Sequence, residues 1–131
     1  MRNILVQCLG VFLLLFLGGC GEGGKTVFTE GDINIVPKPA EVKLNPGAFR
    51  FTEDTKFVAE GDMLQALEVL QDRFANAAGW NLEVVSTVPN VNFIELSKDP
   101  SLGEEEYSLK VTDNNILITA NGYNGFLYAL E

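Results

Sequence analysis

The sequence predicts an α+β domain in which an amphipathic helix covers one face of a mostly antiparallel sheet. Two observations carry this prediction. Apolar residues recur every three or four positions from Met63 to Ala78, which is the period of a helix with one buried side. Segments before and after it alternate apolar and polar residues, as half-buried strands do. Strands grouped around one long helix favour a layer of helix on sheet.

The ends of this helix carry recognisable signals. Asp62 followed by Gln65 resembles a capping box, in which side chains satisfy free groups of the first turn. Gly79 stands where a left-handed residue commonly ends a helix. We expect the apolar side to pack in the core, because a lone amphipathic helix has to bury that side.

Short alternating segments predict the strands. The clearest two, Tyr107 to Val111 and Ile116 to Ala120, are joined by a polar turn and predict a hairpin. Ile33 to Leu44 is predicted to be extended, because Pro37 and Pro39 restrict the residues before them. The other predicted strands are Phe49 to Thr52, Lys56 to Ala59, Leu82 to Val85 and Phe93 to Leu96.

A second helix is predicted to start near Gly125 and to be truncated. Gly125 to Glu131 contains apolar residues and good helix formers, but it covers only about two turns, and isolated helices this short are marginal. We therefore interpret the chain as a piece of a longer protein. A natural short helix that docks on the sheet is the alternative.

The N-terminus has the residue order of a bacterial export signal. Arg2 precedes an apolar run from Ile4 to Leu17, and small residues follow. The run is shorter than the ~20 residues that a membrane-spanning helix needs. The residues from Leu17 to Cys20 resemble a lipobox, the cleavage motif of bacterial lipoproteins. This resemblance implies that the Cys20 thiol receives a diacylglycerol and that Cys20 becomes the mature N-terminus.

Three regions follow from this interpretation. Residues 1–19 form the signal peptide, the glycine-rich residues 20–32 form a flexible tether, and residues 33–131 form the folded domain. Lipidated Cys20 would anchor the exported chain in the bacterial envelope. Gly21 lacks the aspartate that favours inner-membrane retention in many Gram-negative lipoproteins, so we expect the outer membrane.

Composition excludes several kinds of chemistry. The chain has no histidine, and Cys8 would leave with the signal while Cys20 is consumed by lipid. An internal disulfide, a serine–histidine–aspartate triad and a cysteine–histidine zinc site are therefore excluded from the mature chain. A net charge of −9 without clustered Lys or Arg argues against nucleic acid as a partner. We predict no catalytic residue, no metal site and no cofactor.

Three features suggest a site, and each has a simpler interpretation. The consecutive carboxylates of Glu104, Glu105 and Glu106 point to alternate sides on entering a strand, so they do not converge on a cation. The pair Glu53 and Asp54 fits a polar turn. Four aromatic residues invite a sugar-stacking platform, although in a small domain such residues more often fill the core. They are Trp80, Tyr107, Tyr123 and Tyr128.

The stretch from Glu104 to Glu131, together with Ile33 to Leu44, resembles the N-terminal accessory domain of family 20 β-N-acetylhexosaminidases. In that family a Pro-x-Pro segment opens the domain, a Glu-x-Tyr strand follows the helix, and a Gly-aromatic helix leads into a (β/α)₈ catalytic barrel. The matching residues here are Pro37 and Pro39, Glu105 and Tyr107, and Gly125 with Phe126, Tyr128 and Ala129.

The resemblance implies a non-catalytic domain of a membrane-anchored β-N-acetylhexosaminidase, with the barrel as its C-terminal partner. The complete enzyme would remove terminal N-acetylhexosamine residues from a glycan substrate by a substrate-assisted retaining mechanism. The family's catalytic Asp-Glu follows two glycines, whereas Gly19 and Gly24 precede Cys20 and Lys25, so no residue of this chain inherits that role.

Two alternatives stay open. Similar domains precede the barrels of α-glucuronidases and of O-GlcNAc hydrolases. A stand-alone surface lipoprotein could also bind a glycan or a protein partner.

Overall fold

The computed structural model describes residues 27–35 and 38–131. A single 3₁₀ turn at Glu30–Asp32 lies within the predicted tether. No helix of the described ranges is long and apolar enough to cross a membrane. The α+β class is confirmed by five strands and two helices, which are β1 (Lys56–Val58), α1 (Met63–Ala78), β2 (Val84–Val85), β3 (Phe93–Lys98), β4 (Tyr107–Val111), β5 (Asn115–Ala120) and α2 (Tyr123–Leu130).

The sheet is mixed, so the prediction of a mostly antiparallel sheet is wrong. Its strand order is β2-β1-β3-β5-β4. Strand β1 is parallel to β2 and β3, and β3 is parallel to β5. Only β4 and β5 are antiparallel. The connections account for both kinds of pairing. Helix α1 returns the chain to the end of the sheet where β1 began, so β2 is parallel to β1. The short turn at 112–114 reverses the chain direction, so β5 is antiparallel to β4.

The register aligns one apolar row across the centre of the sheet. Phe57 of β1 lies opposite Ile94 of β3, and Ile94 lies opposite Ile116 of β5. Because strand side chains alternate between faces, these residues share one face with Leu96 and Ile118. This face is the one that both helices cover.

The core lies between this face and the helices. The five largest fully buried apolar side chains within it come from three strands and both helices. Full burial of each stabilises the fold by about 1.5–3 kcal/mol. They are Phe57, Leu67, Ile94, Ile118 and Phe126.

Helix α1 has the predicted bounds but only one of its predicted caps. Gly79 has a left-handed backbone (φ 73°), and its N–H donates to the Ala75 carbonyl at 3.0 Å, as predicted. The capping box at Asp62 does not form, because its side chain makes no hydrogen bond to the helix start. The Asp62 carboxylate instead accepts a hydrogen bond from the Lys98 ammonium at 2.8 Å, which joins the helix start to the end of β3.

The predicted strand at Phe49 to Thr52 is also absent. The Thr52 N–H donates to the Thr55 hydroxyl at 2.9 Å instead of to a neighbouring strand. The alternation has another cause, since the rings of Phe49 and Phe51 meet edge to face with their centroids 5.1 Å apart. Phe51 continues the cluster to Phe74 near the end of α1.

The predicted hairpin is confirmed. Strands β4 and β5 pair from Tyr107 opposite Ala120 to Val111 opposite Ile116. The Thr112 hydroxyl accepts the N–H groups of Asn114 and Asn115, at 3.2 and 3.0 Å, and so holds the turn.

Gly125 allows α2 to approach the hairpin closely. The helix begins at Tyr123, slightly before the predicted start. A β-carbon added at Gly125 would lie 2.7 Å from the Glu106 carbonyl oxygen and 2.9 Å from the Ala120 β-carbon. Both distances are shorter than van der Waals contact, so only glycine fits here without a shift of the backbone.

We expect Gly125→Ala to lower the free energy of unfolding by about 1–3 kcal/mol, because overpacking against a backbone carbonyl displaces the helix. This loss opposes the gain of about 1 kcal/mol that alanine brings inside a helix. Urea denaturation followed by circular dichroism measures it. Gly103→Ala is the matched control, since its added β-carbon would be 3.5 Å from its nearest neighbour. Equal losses in both variants would contradict the close-approach argument.

Candidate functional site

The most connected polar group lies where the parallel strands begin. Asn92 immediately precedes β3, and its amide nitrogen donates to the Thr52 hydroxyl at 2.9 Å. Its amide oxygen accepts a hydrogen bond from the Thr55 hydroxyl at 2.7 Å. Thr55 is completely buried just before β1. The side chain of Asn92 therefore binds the segment that leads into the neighbouring strand.

The main chain of Asn92 extends the network on both sides. Its N–H donates to the Asn114 carbonyl at 2.6 Å, and its carbonyl accepts the Lys56 N–H at 3.0 Å. Asn92 has a left-handed backbone (φ 58°), which asparagine tolerates better than most residues do. Asn92 is not among the residues predicted from the sequence, where its only local signal is an asparagine just before a strand.

The network is closed and offers nothing to a substrate. Within residues 27–35 and 38–131, every buried side-chain nitrogen or oxygen has a hydrogen-bond partner. Catalytic and binding groups need a free donor, acceptor or charge that faces a ligand. The Asn92 network is therefore structural.

We expect Thr55→Val to lower the free energy of unfolding by about 1–3 kcal/mol. The substitution leaves the Thr52 N–H and the Asn92 amide oxygen without their partner in a partly buried place. Thr87→Val serves as the control because Thr87 is exposed and outside this network. Thermal denaturation distinguishes the two, and an unchanged midpoint for Thr55→Val would show that the network adds nothing to stability.

The two groups of carboxylates considered in the sequence do not converge. Glu104, Glu105 and Glu106 are all exposed, and a Glu106 carboxylate oxygen accepts the Gly103 N–H at 3.0 Å, which closes their own turn. Glu53 and Asp54 are exposed in a turn closed by the Thr55 N–H and the Thr52 carbonyl. The described part of the chain brings together no group of three or more Asp, Glu, His or Cys residues suited to a metal ion.

The four aromatic candidates do not form one platform. Trp80 stacks on Phe74 with ring centroids 6.1 Å apart, and Tyr107 packs partly buried against the core. Tyr123 and Tyr128 are 38% and 45% exposed on α2. Five positions along a helix turn the side-chain direction by about 140°, so these two rings point apart.

The face of the sheet away from the helices is mostly polar. Strand alternation places Glu95, Ser97 and Thr119 on it, and the hydroxyls of Ser97 and Thr119 lie 2.9 Å apart. The aromatic side chain that alternation places on this face, Phe93, is 4% exposed. Sugars stack on open aromatic rings, and the described strands offer none on this face.

The shifted pKa values belong to ion pairs and turns at the surface. The hydrogen bond from Lys98 lowers the pKa of the Asp62 carboxyl below its usual value. The hydrogen bond from Ser101 lowers the pKa of Asp99, and Glu83 raises the pKa of Lys56. A catalytic acid or base usually has its pKa moved towards neutrality by burial, and none of these shifts is of that kind.

The predicted lipidation residue, Cys20, lies outside the described residues. The same holds for the signal peptide at 1–19 and for Pro37 of the Pro-x-Pro segment. Cys20 as an anchor therefore stays a prediction from sequence.

Comparison with known proteins gives one family. The family model described as "Glycosyl hydrolase family 20, domain 2" matches residues 32–131. A search among curated protein sequences finds no match.

Solved structures share the fold. The GH20 exo-β-N-acetylglucosaminidase from Vibrio harveyi, solved with N-acetylglucosamine, aligns with a TM-score of 0.63 and 24% identity over 72% of this chain. The β-N-acetylhexosaminidases from Bacteroides fragilis NCTC 9343 and Streptomyces coelicolor A3(2) align with the same score and identity over 73%. The aligned region is 14%, 19% and 20% of those three chains, respectively.

Proposed function

Since the chain belongs to glycosyl hydrolase family 20 through its domain 2, we propose that it is the non-catalytic domain of a membrane-anchored β-N-acetylhexosaminidase. The family match over residues 32–131 carries this proposal. The described residues are consistent with it, because their buried polar side chains are paired with one another and the carboxylates of Glu53, Asp54 and Glu104 to Glu106 are exposed. A domain of this kind contributes packing and position, and its enzyme's chemistry lies elsewhere.

In the proposed enzyme, that chemistry belongs to a catalytic (β/α)₈ barrel C-terminal to this domain. The acetamido oxygen of the substrate would attack the anomeric carbon, a barrel aspartate would orient it, and a barrel glutamate would protonate the leaving oxygen. Family 20 is an exception to the usual nucleophilic carboxylate of retaining glycosidases. The substrate class would be glycans that end in N-acetylhexosamine.

The alternatives are weaker. The family match favours family 20 over the similar domains of α-glucuronidases and O-GlcNAc hydrolases. A stand-alone lipoprotein that binds glycans through its sheet would need an open aromatic ring on the face away from the helices, where Phe93 is buried. The exposed rings of Tyr123 and Tyr128 lie instead on α2, which packs on the opposite face.

The anchor is the second part of the proposal. The order of Arg2, the apolar run to Leu17 and the small residues before Cys20 supports export and lipidation. Two or three acyl chains hold a protein on a bilayer far better than one, since each buried CH₂ contributes about 0.8 kcal/mol. We propose that lipidated Cys20 lies in the outer membrane, because Gly21 lacks the aspartate that favours inner-membrane retention.

Residues 20–131 with Cys20→Ser should not hydrolyse a chromogenic N-acetylglucosaminide. The reason is that no Asp-Glu follows two glycines anywhere in the chain. Absorbance of the released chromophore measures activity, with a mock purification as the control. Turnover above that control would refute a non-catalytic domain.

Sequencing the DNA downstream of Glu131 tests the parent enzyme, because an open frame that encodes Gly-Gly-Asp-Glu supports it and an immediate stop codon refutes it.

Full-length chain made in a Gram-negative host should incorporate radiolabelled palmitate and sediment with the outer membrane. Cys20→Ala should abolish both the label and the membrane association, because no other thiol would follow the signal. Cys8→Ala is the matched control and should keep both, since Cys8 lies inside the predicted signal. Label retained in Cys20→Ala would contradict the lipobox assignment.

A further inference from the structure

Two Asn-Gly pairs lie at the start of α2. Asn121 and Gly122 form the bend between β5 and the helix, whereas Asn124 and Gly125 lie in the first turn of the helix. Asn-Gly is the dipeptide most prone to deamidation, because glycine has no side chain to hinder attack by its own backbone nitrogen on the asparagine amide. The sequence makes the two pairs equivalent, but the structure does not.

We propose that Asn121 is a site of spontaneous deamidation and that Asn124 is protected from it. At Asn121, a bond forms between the Gly122 backbone nitrogen and the side-chain Cγ, and the bond from Cγ to Nδ2 breaks. Ammonia leaves with the proton of the Gly122 N–H. Water, the only co-reactant, then opens the succinimide ring to aspartate or isoaspartate. This inference depends on the fold and not on the proposed function.

The backbone at Gly122 is open. Gly122 has an extended conformation (φ −155°, ψ −171°) and lies just outside α2, before the first helical residue Tyr123. A β-carbon added at Gly122 would have no neighbour within 4 Å. The peptide between Asn121 and Gly122 therefore has space for the rotation that brings the glycine nitrogen to the asparagine Cγ.

Helix α2 protects the second pair. Asn124 lies inside the helix, which holds the rotation about its Cα–C bond in the helical range. A succinimide ring needs a rotation outside that range, so the first turn would have to unwind. Gly125 is buried, and a β-carbon added to it would lie 2.7 Å from the Glu106 carbonyl oxygen. This close packing leaves no space for the peptide to move.

Deamidation would remove a hydrogen bond that ties a loop to the end of β5. The half-buried Asn121 side chain donates from Nδ2 to the Leu102 carbonyl at 2.9 Å, and Leu102 lies in the loop at 99–106 between β3 and β4. A carboxylate accepts hydrogen bonds but cannot donate them. Two acceptors would then face each other, so the loop should loosen.

Proteolysis measures this loosening. Asn121→Asp imitates the product, and a glutamate-specific protease should cleave it in the loop, at Glu104 to Glu106, several-fold faster than it cleaves the unaltered chain. Asn124→Asp adds the same charge and is the matched control, which should be cleaved at the original rate. Equal cleavage of the two variants would contradict the role given to the hydrogen bond between Asn121 and Leu102.

Tandem mass spectrometry measures the conversion at each asparagine separately. The full chain, purified as expressed, is kept in mildly alkaline buffer and sampled over several weeks. We expect aspartate and isoaspartate to accumulate several-fold faster at Asn121 than at Asn124. In urea the two rates should become similar, because the local structure is lost and both pairs are followed by an aromatic residue.

Gly122→Ala tests the attacking nitrogen. The added methyl group meets open space, so circular dichroism should be unchanged. The same group hinders the attack and should slow conversion of Asn121 several-fold. The proposal is overturned by equal rates at Asn121 and Asn124 in the folded chain, or by an unchanged rate in Gly122→Ala. Conversion of both asparagines in urea but of neither in the folded chain would also overturn it.

Discussion

The parallel strands β1, β3 and β5 begin at one end of the sheet, and Asn92 joins the segments that lead into them. Its side chain binds Thr52 and Thr55, while its main chain binds Lys56 and Asn114. These hydrogen bonds fix the register of each strand relative to its neighbour. The register in turn decides that Phe57, Ile94 and Ile118 share one face. A shift of one residue would turn these side chains to the other side of the sheet.

The two faces of the sheet then acquire different roles. Helices α1 and α2 bury most of the apolar face, so little of it is accessible to a ligand. The other face carries Glu95, Ser97 and Thr119, whose polar groups suit water or weak contacts. Phe51, Phe74 and Trp80 pack against one another. Aromatic residues used for packing fit an accessory domain better than a sugar-binding module.

Local periodicity predicted the local elements well. The 3.6-residue period placed α1 at its observed bounds, and the hairpin followed from alternation and a polar turn. The sequence could not predict whether neighbouring strands are parallel or antiparallel, because alternation indicates which residues face the core but not which strands pair. The cap at Asp62 failed for a related reason, since its carboxylate binds Lys98, which is distant in sequence. Asn92 was missed because its partners lie in two other segments, at 52–56 and at Asn114, that are distant from it in sequence.

The position of α2 gives the proposed enzyme a physical basis for fixed domain geometry. Near its start, Gly125 packs so closely on the Glu106 carbonyl that the helix cannot slide along the hairpin without a clash. At its end, Arg73 of α1 lies 3.5 Å from the Leu130 carbonyl oxygen and 3.4 Å from the Glu131 carboxylate. These exposed contacts are weak, so the close packing at Gly125 dominates. A barrel joined after α2 would therefore begin from a position that this backbone contact fixes. A non-catalytic domain can contribute to an active site in this way, by positioning the domain that carries the catalytic residues.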